Sequence, residues 1–219
     1  MPAPGQFILN KQVIPSELRS REWEAARVDY WRMERAFVMA GKVRFEDAQA
    51  CRNAAAALAN GKVSLIEARR AVREELERAG YRPTPGTTGT IKDIYTPRRL
   101  DVTLKTNVNM ARGYAEKNRL TGNAMYPASE LHRNRQSREP RDWQMRWNEA
   151  AASVNYEGVA RDGSFIALND SPIWAALSRW RTPYPPFDYG SGMWWRPVKW
   201  RVAEQKGLVT DCLLYTSDA

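Results

Sequence analysis

Pro183, Pro185 and Pro186 stand within a single four-residue window. Each fixes its own φ and removes a backbone donor, so the chain around them can be neither helix interior nor central strand. The segment that contains them, Phe165 to Val202, also holds five of the chain's nine tryptophans and no histidine or cysteine. It reads as a rigid, extended crossing with aromatic rings pinned to it, and Gly190 and Gly192 let the backbone turn where a side chain would block it. The residues expected to build this proline-braced core are Trp143, Trp147, Trp174, Pro183, Pro185, Pro186, Phe187, Asp188, Gly190, Gly192 and Met193. A competing expectation is a docking surface for another protein, because Trp, Tyr and Arg are the residue types that anchor interfaces.

Whether such a core stands alone depends on the rest of the 219 residues. That length suits one ordinary domain, or a helical piece followed by a domain of about 100 residues. A formal charge of +9 and a pI near 9.8 point to an acidic partner: nucleic acid, an anionic membrane surface or an acidic protein. No apolar run reaches the roughly 18 residues of a membrane span, and the first residues lack a signal-peptide pattern, so a soluble, intracellular protein is expected. Cys51 and Cys212 have no metal-ligand spacing. Cys51 lies in an alanine-rich helical pattern, where it reads as a small buried hydrophobe.

Taken in order, residues 1–14 read as a short, proline-bearing arm, either lying on the rest of the protein or loose in solution. From Ser16, placed as N-cap, to Gly41, placed as C-cap, Trp23, Ala26, Tyr30, Met33, Phe37 and Ala40 recur at helical spacing. Phe45 to Leu58 reads as a second helix ended by Gly61. Ser64 and Glu67 form a capping box that starts a third, stopping at Gly80 with Leu65, Ala68, Val72 and Leu76 inside. These helices make an N-terminal bundle over 1–80, and the Pro, Gly and Thr of 81–97 read as a linker. Residues 98–209 form the second domain. Its long first helix begins at Pro97 and closes at Gly122, with Leu100, Leu104, Val108, Ala111 and Ala115 on one side and Arg99, Lys105, Arg112 and Arg119 on the other. Short strands are expected at Met125–Leu131 and, as a hairpin turning at Arg161-Asp162-Gly163, over Val154–Leu168. Short helices are expected after Pro140, over Ile173–Trp180 and over Val198–Lys206. The fold class is therefore α+β and mostly α: an N-terminal helical bundle, then a small mixed domain with short strands and an irregular Pro/Trp-rich segment. The octet CLLYTSDA from Cys212 looks like translated sequencing-adapter read-through, and 210–219 is set apart as a non-native tail.

The run HRNRQSREPRDW brings together Arg133, Arg135, Arg138 and Arg141, with Arg146 just beyond. Arginines interleaved with Trp143 and Trp147 can clamp phosphates while stacking on bases, which makes these five the candidate nucleic-acid-binding residues. The plainer alternative is a solvated basic loop with both tryptophans turned into the core. His132 is the only histidine, so histidine triads and two-histidine metal sites lack parts. Asp162, Asp170 and Asp188 could together hold Mg²⁺, but they stand where turns select Asp for backbone capping. No phosphate-loop, dinucleotide or nucleophile-elbow run is present. No catalytic residue, metal or cofactor is expected.

Four stretches in order carry a family likeness: LKTNVNMARGY (104–114), YPASEL (126–131), EPRDWQMRW (139–147) and IALNDSPIWAALSRWRTPYPPFDYGSGM (166–193). Together they resemble the phage Mu F-like minor head proteins, also called phage head morphogenesis proteins. Upstream, ERAFVMAG (34–41) and EARRAVREELERAGYRP (67–83) are similar to the N-terminal part of prophage-encoded members, so the resemblance runs from about Ile14 to Val209. It implies a minor capsid component of a tailed phage or prophage, located in the virion head and in the host cytoplasm during assembly. Its implied partners are the portal protein and the capsid and scaffold proteins, with double-stranded DNA as a further neighbour and no small-molecule substrate. The family offers no catalytic residues to carry over. Its CRC-type cysteine motif is missing here, and Trp194-Trp195-Arg196-Pro197 stand where small or acidic residues are expected. The alternatives are a sequence-independent nucleic-acid-binding module using the five arginines, and a metal-dependent nuclease built on the aspartates.

Overall fold

The computed structural model describes residues 3–14, 34–39, 44–134, 141–156 and 164–210. They form two compact units, Met1–Arg112 and Gly113–Ala219. Of the described residues about 49% are helix and 12% strand, so the protein is α+β and mostly helical.

In the first unit a short helix α1 (Pro4–Leu9) leads into strand β1 (Gln12–Ile14), which pairs in parallel with β2 (Ala36–Val38). Ile8 and Val13 are buried. Of the two expectations for this arm, residues 3–14 follow the first: they lie on the unit and supply Ile8 and Val13 to its core. The helix expected to run through Phe37 differs: Ala36-Phe37-Val38 is strand, as its aromatic and β-branched content allows. Trp23, Ala26, Tyr30, Met33, Ala40 and the caps Ser16 and Gly41 lie outside the described residues.

Helix α2 (Phe45–Ala59) buries Ala48, Cys51, Ala54, Ala55 and Ala56. These small side chains let α1 lie close: a Cβ on Gly5 would stand 2.5 Å from the Ala56 carbonyl oxygen, and the Gly5 amide donates to Asn60 Oδ1 at 2.9 Å. Helix α3 (Leu65–Arg78) opens on the expected capping box, the Glu67 amide donating to Ser64 Oγ at 3.3 Å and the Ser64 amide to Glu67 Oε2 at 2.7 Å. Ala68, Val72 and Leu76 face inward.

Residues 81–97, expected as a linker, are folded onto this unit. Asp93 is buried and accepts from the Gly89 and Tyr95 amides and the Tyr81 hydroxyl, and Ile94 joins the core. Carboxylate-centred turns of this kind tie Gly- and Thr-rich chain down as firmly as helix does. The boundary between the units falls instead at Arg112/Gly113, inside helix α4 (Pro97–Leu120). Leu100, Leu104 and Ala111 enter the first core as their spacing predicts.

The second unit contains a three-stranded antiparallel sheet ordered β4 (Ile166–Leu168), β3 (Ala128–Arg133), β5 (Met193–Val198). Around it pack α5 (Trp143–Ser153), α6 (Ile173–Leu177) and α7 (Trp200–Gln205). The middle of the hairpin expected over Val154–Leu168, residues 157–163, lies outside the described residues, and among the described ones residues 154–156 are no strand partner of β4. Its partner is β3, with Ala128 opposite Leu168 and Glu130 opposite Ile166. Helix α5 continues to Ser153, carried by its alanines, and the turn at 161–163 lies outside the described residues. Side chains alternate along β4 as a strand requires: Phe165 and Ala167 belong to the aromatic core, Ile166 and Leu168 to a separate cluster with Val198 and Ala203. Pro197 is tolerated because β5 is an edge strand.

Two outcomes follow from this packing. A Cβ on Gly113 would stand 1.8 Å from the Pro185 carbonyl oxygen. A Gly-to-Ala change inside a helix ordinarily stabilises by about 1 kcal/mol, whereas Gly113→Ala should destabilise by about 2 kcal/mol or more through overpacking, read as a fall in the urea midpoint. Burial pushes the Cys51 thiol from 9.0 up to about 12. In a Cys212→Ser background, Cys51 of the native protein should therefore resist thiol reagents at mildly alkaline pH and react once the chain is denatured. Since the unfolded thiol ionises and the folded one does not, this group's contribution to stability should fall as pH rises above about 9.

Candidate functional site

The proline-bearing segment is held by rings and by two buried polar centres. Trp174, on α6, lies 5.5 Å from Trp147, 5.8 Å from Phe187 and 5.2 Å from Trp195, ring centre to ring centre. Trp147 also meets Phe165 at 5.4 Å and Tyr156 at 6.2 Å. Edge-on and offset contacts of this kind add stability beyond the area they bury. The Trp174 indole N–H donates to the Leu168 carbonyl at 2.8 Å, which ties the start of α6 to β4. Past α6 the chain closes on itself, the Arg179 amide donating to the Phe187 carbonyl at 3.0 Å across the prolines. Tyr184, Pro185, Pro186 and Phe187 are buried and Pro183 is half-buried.

One polar centre is Asn169. Its side-chain amide donates to the Tyr126 carbonyl at 2.6 Å and the Leu120 carbonyl at 3.3 Å, and its oxygen accepts from Ser129 Oγ at 2.7 Å. One buried side chain thus joins the end of α4, the entry to β3 and the exit of β4.

The other centre is Asp188, whose side chain is 1% exposed. Oδ2 meets Arg146 Nη2 at 2.9 Å and Arg141 Nε at 3.3 Å, and Oδ1 meets Arg179 Nη1 at 3.4 Å while accepting from the Tyr189 amide at 2.7 Å. Arg141 also donates to the Tyr189 carbonyl at 2.9 Å. The guanidiniums stack: Arg146 lies 5.0 Å from the Trp143 ring and Arg179 5.5 Å from the Tyr189 ring, which meets Trp180 edge-on at 4.9 Å. The arginine side chains keep about a third of their surface in solvent (34%, 31% and 31%). A carboxylate has about four acceptor positions, and these contacts occupy them. Asp188 can therefore bind a cation only by giving up its arginines.

Of the candidate nucleic-acid-binding residues, Arg141 and Arg146 thus converge on Asp188. Arg133 is half-buried at the end of β3, opposite Met193, and Arg135 and Arg138 lie outside the described residues. Of the aspartates, Asp170 is exposed, Asp162 lies outside the described residues, and Asp188 is enclosed by arginine. Among the described residues no three His, Cys, Asp or Glu side chains converge as metal ligands. His132 is half-buried opposite Trp194. Gly190 and Gly192 both have positive φ, at 56° and 67°, and Asn134 donates its amide to the Gly192 carbonyl at 2.8 Å, which sets β5 on its register. Met193 begins that strand and is buried.

Sequence reasoning passed over Arg179, Asn169, Ser129 and Tyr189. Only Arg179 left a signal, as an arginine within the tryptophan-rich stretch. Comparison with protein-family profiles, with curated proteins and with solved structures finds no match. No helix among the described residues is long and apolar enough to cross a membrane.

Asp188→Asn keeps the shape and removes the charge that three guanidiniums share. It should destabilise by about 2 kcal/mol or more, the partial exposure of the arginines holding the loss below that of a fully buried pair. Chemical denaturation followed by tryptophan fluorescence measures it.

Proposed function

We propose that this chain is a minor head protein of a tailed phage or prophage, a stiff component held near the portal by its protein neighbours. The observation that carries the reading is where the four resembling stretches lie. Gly113 abuts Pro185, Ser129 bonds Asn169, Arg141 and Arg146 grip Asp188, and Trp147 packs on Trp174. Residues from all four stretches are therefore contacts of one core, as residues chosen for rigidity would be, and the segment with the most marked composition builds architecture. The portal, capsid and scaffold proteins are its partners in this reading, and no substrate or cofactor is assigned. The nucleic-acid module using Arg133, Arg135, Arg138, Arg141 and Arg146 is the second reading. It is disfavoured because two of those five are directed at Asp188.

Co-expression with the portal protein of the same genome tests the proposal. The expected result is co-elution with the portal ring that survives high salt and survives replacement of Arg133, Arg135 and Arg138 by alanine. Elution of the chain free of the portal, at every salt concentration, would overturn it.

A further inference from the structure

The positive charge of the chain is unevenly placed. Residues 1–112 carry 20 Lys and Arg against 13 Asp and Glu, whereas residues 113–219 carry 14 against 12. Within 82–112 the balance is six against two. Both of those acids are engaged: Asp93 is buried in its turn, and Asp101 bridges Arg69 at 3.4 Å and Lys105 at 3.1 Å. The exposed charge of this stretch is therefore mainly positive: Arg82, Lys92, Arg98 and Arg112, with Lys105 shared with the partly exposed Asp101.

Three of these have a fixed geometry. Arg98, Lys105 and Arg112 recur every seven residues on α4, so they lie along one face of the helix about 10 Å apart. All three are exposed while Leu100, Leu104, Val108 and Ala111 are buried. The neighbouring helix shows what an ordinary solvated face looks like. On α3, Arg70 pairs with Glu74 and Arg78 with Glu75. On α4, Lys105 makes one such pair with Asp101, whereas Arg98 and Arg112, a turn or more to either side, make no ion pair or hydrogen bond among the described residues.

We infer that this face, Arg98, Lys105 and Arg112 with Arg82 and Lys92 beside it in sequence, binds the phosphate backbone of a nucleic acid. A protein partner would call for aromatic or large apolar anchors at the centre of the contact, and the helix row offers only Val102, 36% exposed, with Ile91, 42% exposed, off the helix beside Lys92. Phosphate contacts need no such anchor, and each cation set against a phosphate releases a counterion. Binding of this kind is independent of sequence. It also stands apart from the portal reading, since it is measured on the chain alone.

The test is anisotropy of a labelled duplex of mixed sequence with the full chain over a series of salt concentrations. Three phosphates neutralised by the row give a log K against log salt slope of about −3 or steeper. The variant Arg98→Gln/Lys105→Gln/Arg112→Gln should flatten the slope by about 2 to 3 and weaken binding more than tenfold at low salt, with its melting temperature unchanged because these side chains are exposed. Arg133→Gln/Arg135→Gln/Arg138→Gln should leave the slope as it is. No binding at low salt, an unchanged slope in the α4 variant, loss in the second variant instead, or competition by polyglutamate as strong per charge as by DNA would each overturn the inference.

Discussion

A carboxylate taken almost wholly out of water and met by three guanidiniums governs the second unit. Burying Asp188 without partners would be prohibitive, so the chain must bring Arg141, Arg146 and Arg179 to it from three places. Those arrivals define the fold locally: the approach to α5, the first turns of that helix, and the turn after α6 all end at one side chain. The prolines and the stacked rings then have a fixed frame to fill. With its acceptor positions occupied, the same carboxylate is poorly suited to phosphoryl chemistry, and the arginines bound to it have fewer donors left for phosphate.

Where local chemistry decides a conformation, the sequence declared it. The capping box at Ser64, the start of α4 at Pro97 and the positive-φ glycines near 190 each depend on one or two residues, and the proline-braced ring cluster follows from composition alone. What stayed hidden needs partners distant in the chain. Asn169 satisfies groups 40 to 49 residues away, and no periodicity marks it. The strand at Ala36–Val38 forms because residues 12–14 lie beside it, and helical spacing upstream concealed that. The segment 81–97 has a linker's composition but folds around a buried Asp93, a distinction that only tertiary contact makes.

The candidate site divides in the same way. In the sequence, Arg141 and Arg146 read as cations free to face a phosphate. The reason they turn inward is a single acid 47 and 42 residues further on, visible in sequence only as one more aspartate near a turn. Charge summed over the whole chain, by contrast, points toward an anionic partner without saying where. Once the two units and the paired acids are known, the excess proves to lie on the first unit and along α4.

The claim on which this account rests is that Asp188 and its arginines act as one structural brace. A double-mutant cycle of Asp188→Asn and Arg146→Gln, followed by urea unfolding, tests it most directly. The brace predicts that the two losses are not additive, with a coupling of more than about 1 kcal/mol. Additivity within about 0.5 kcal/mol, together with a negligible loss for Arg146→Gln alone, would contradict it and return Arg146 to the surface as a free cation.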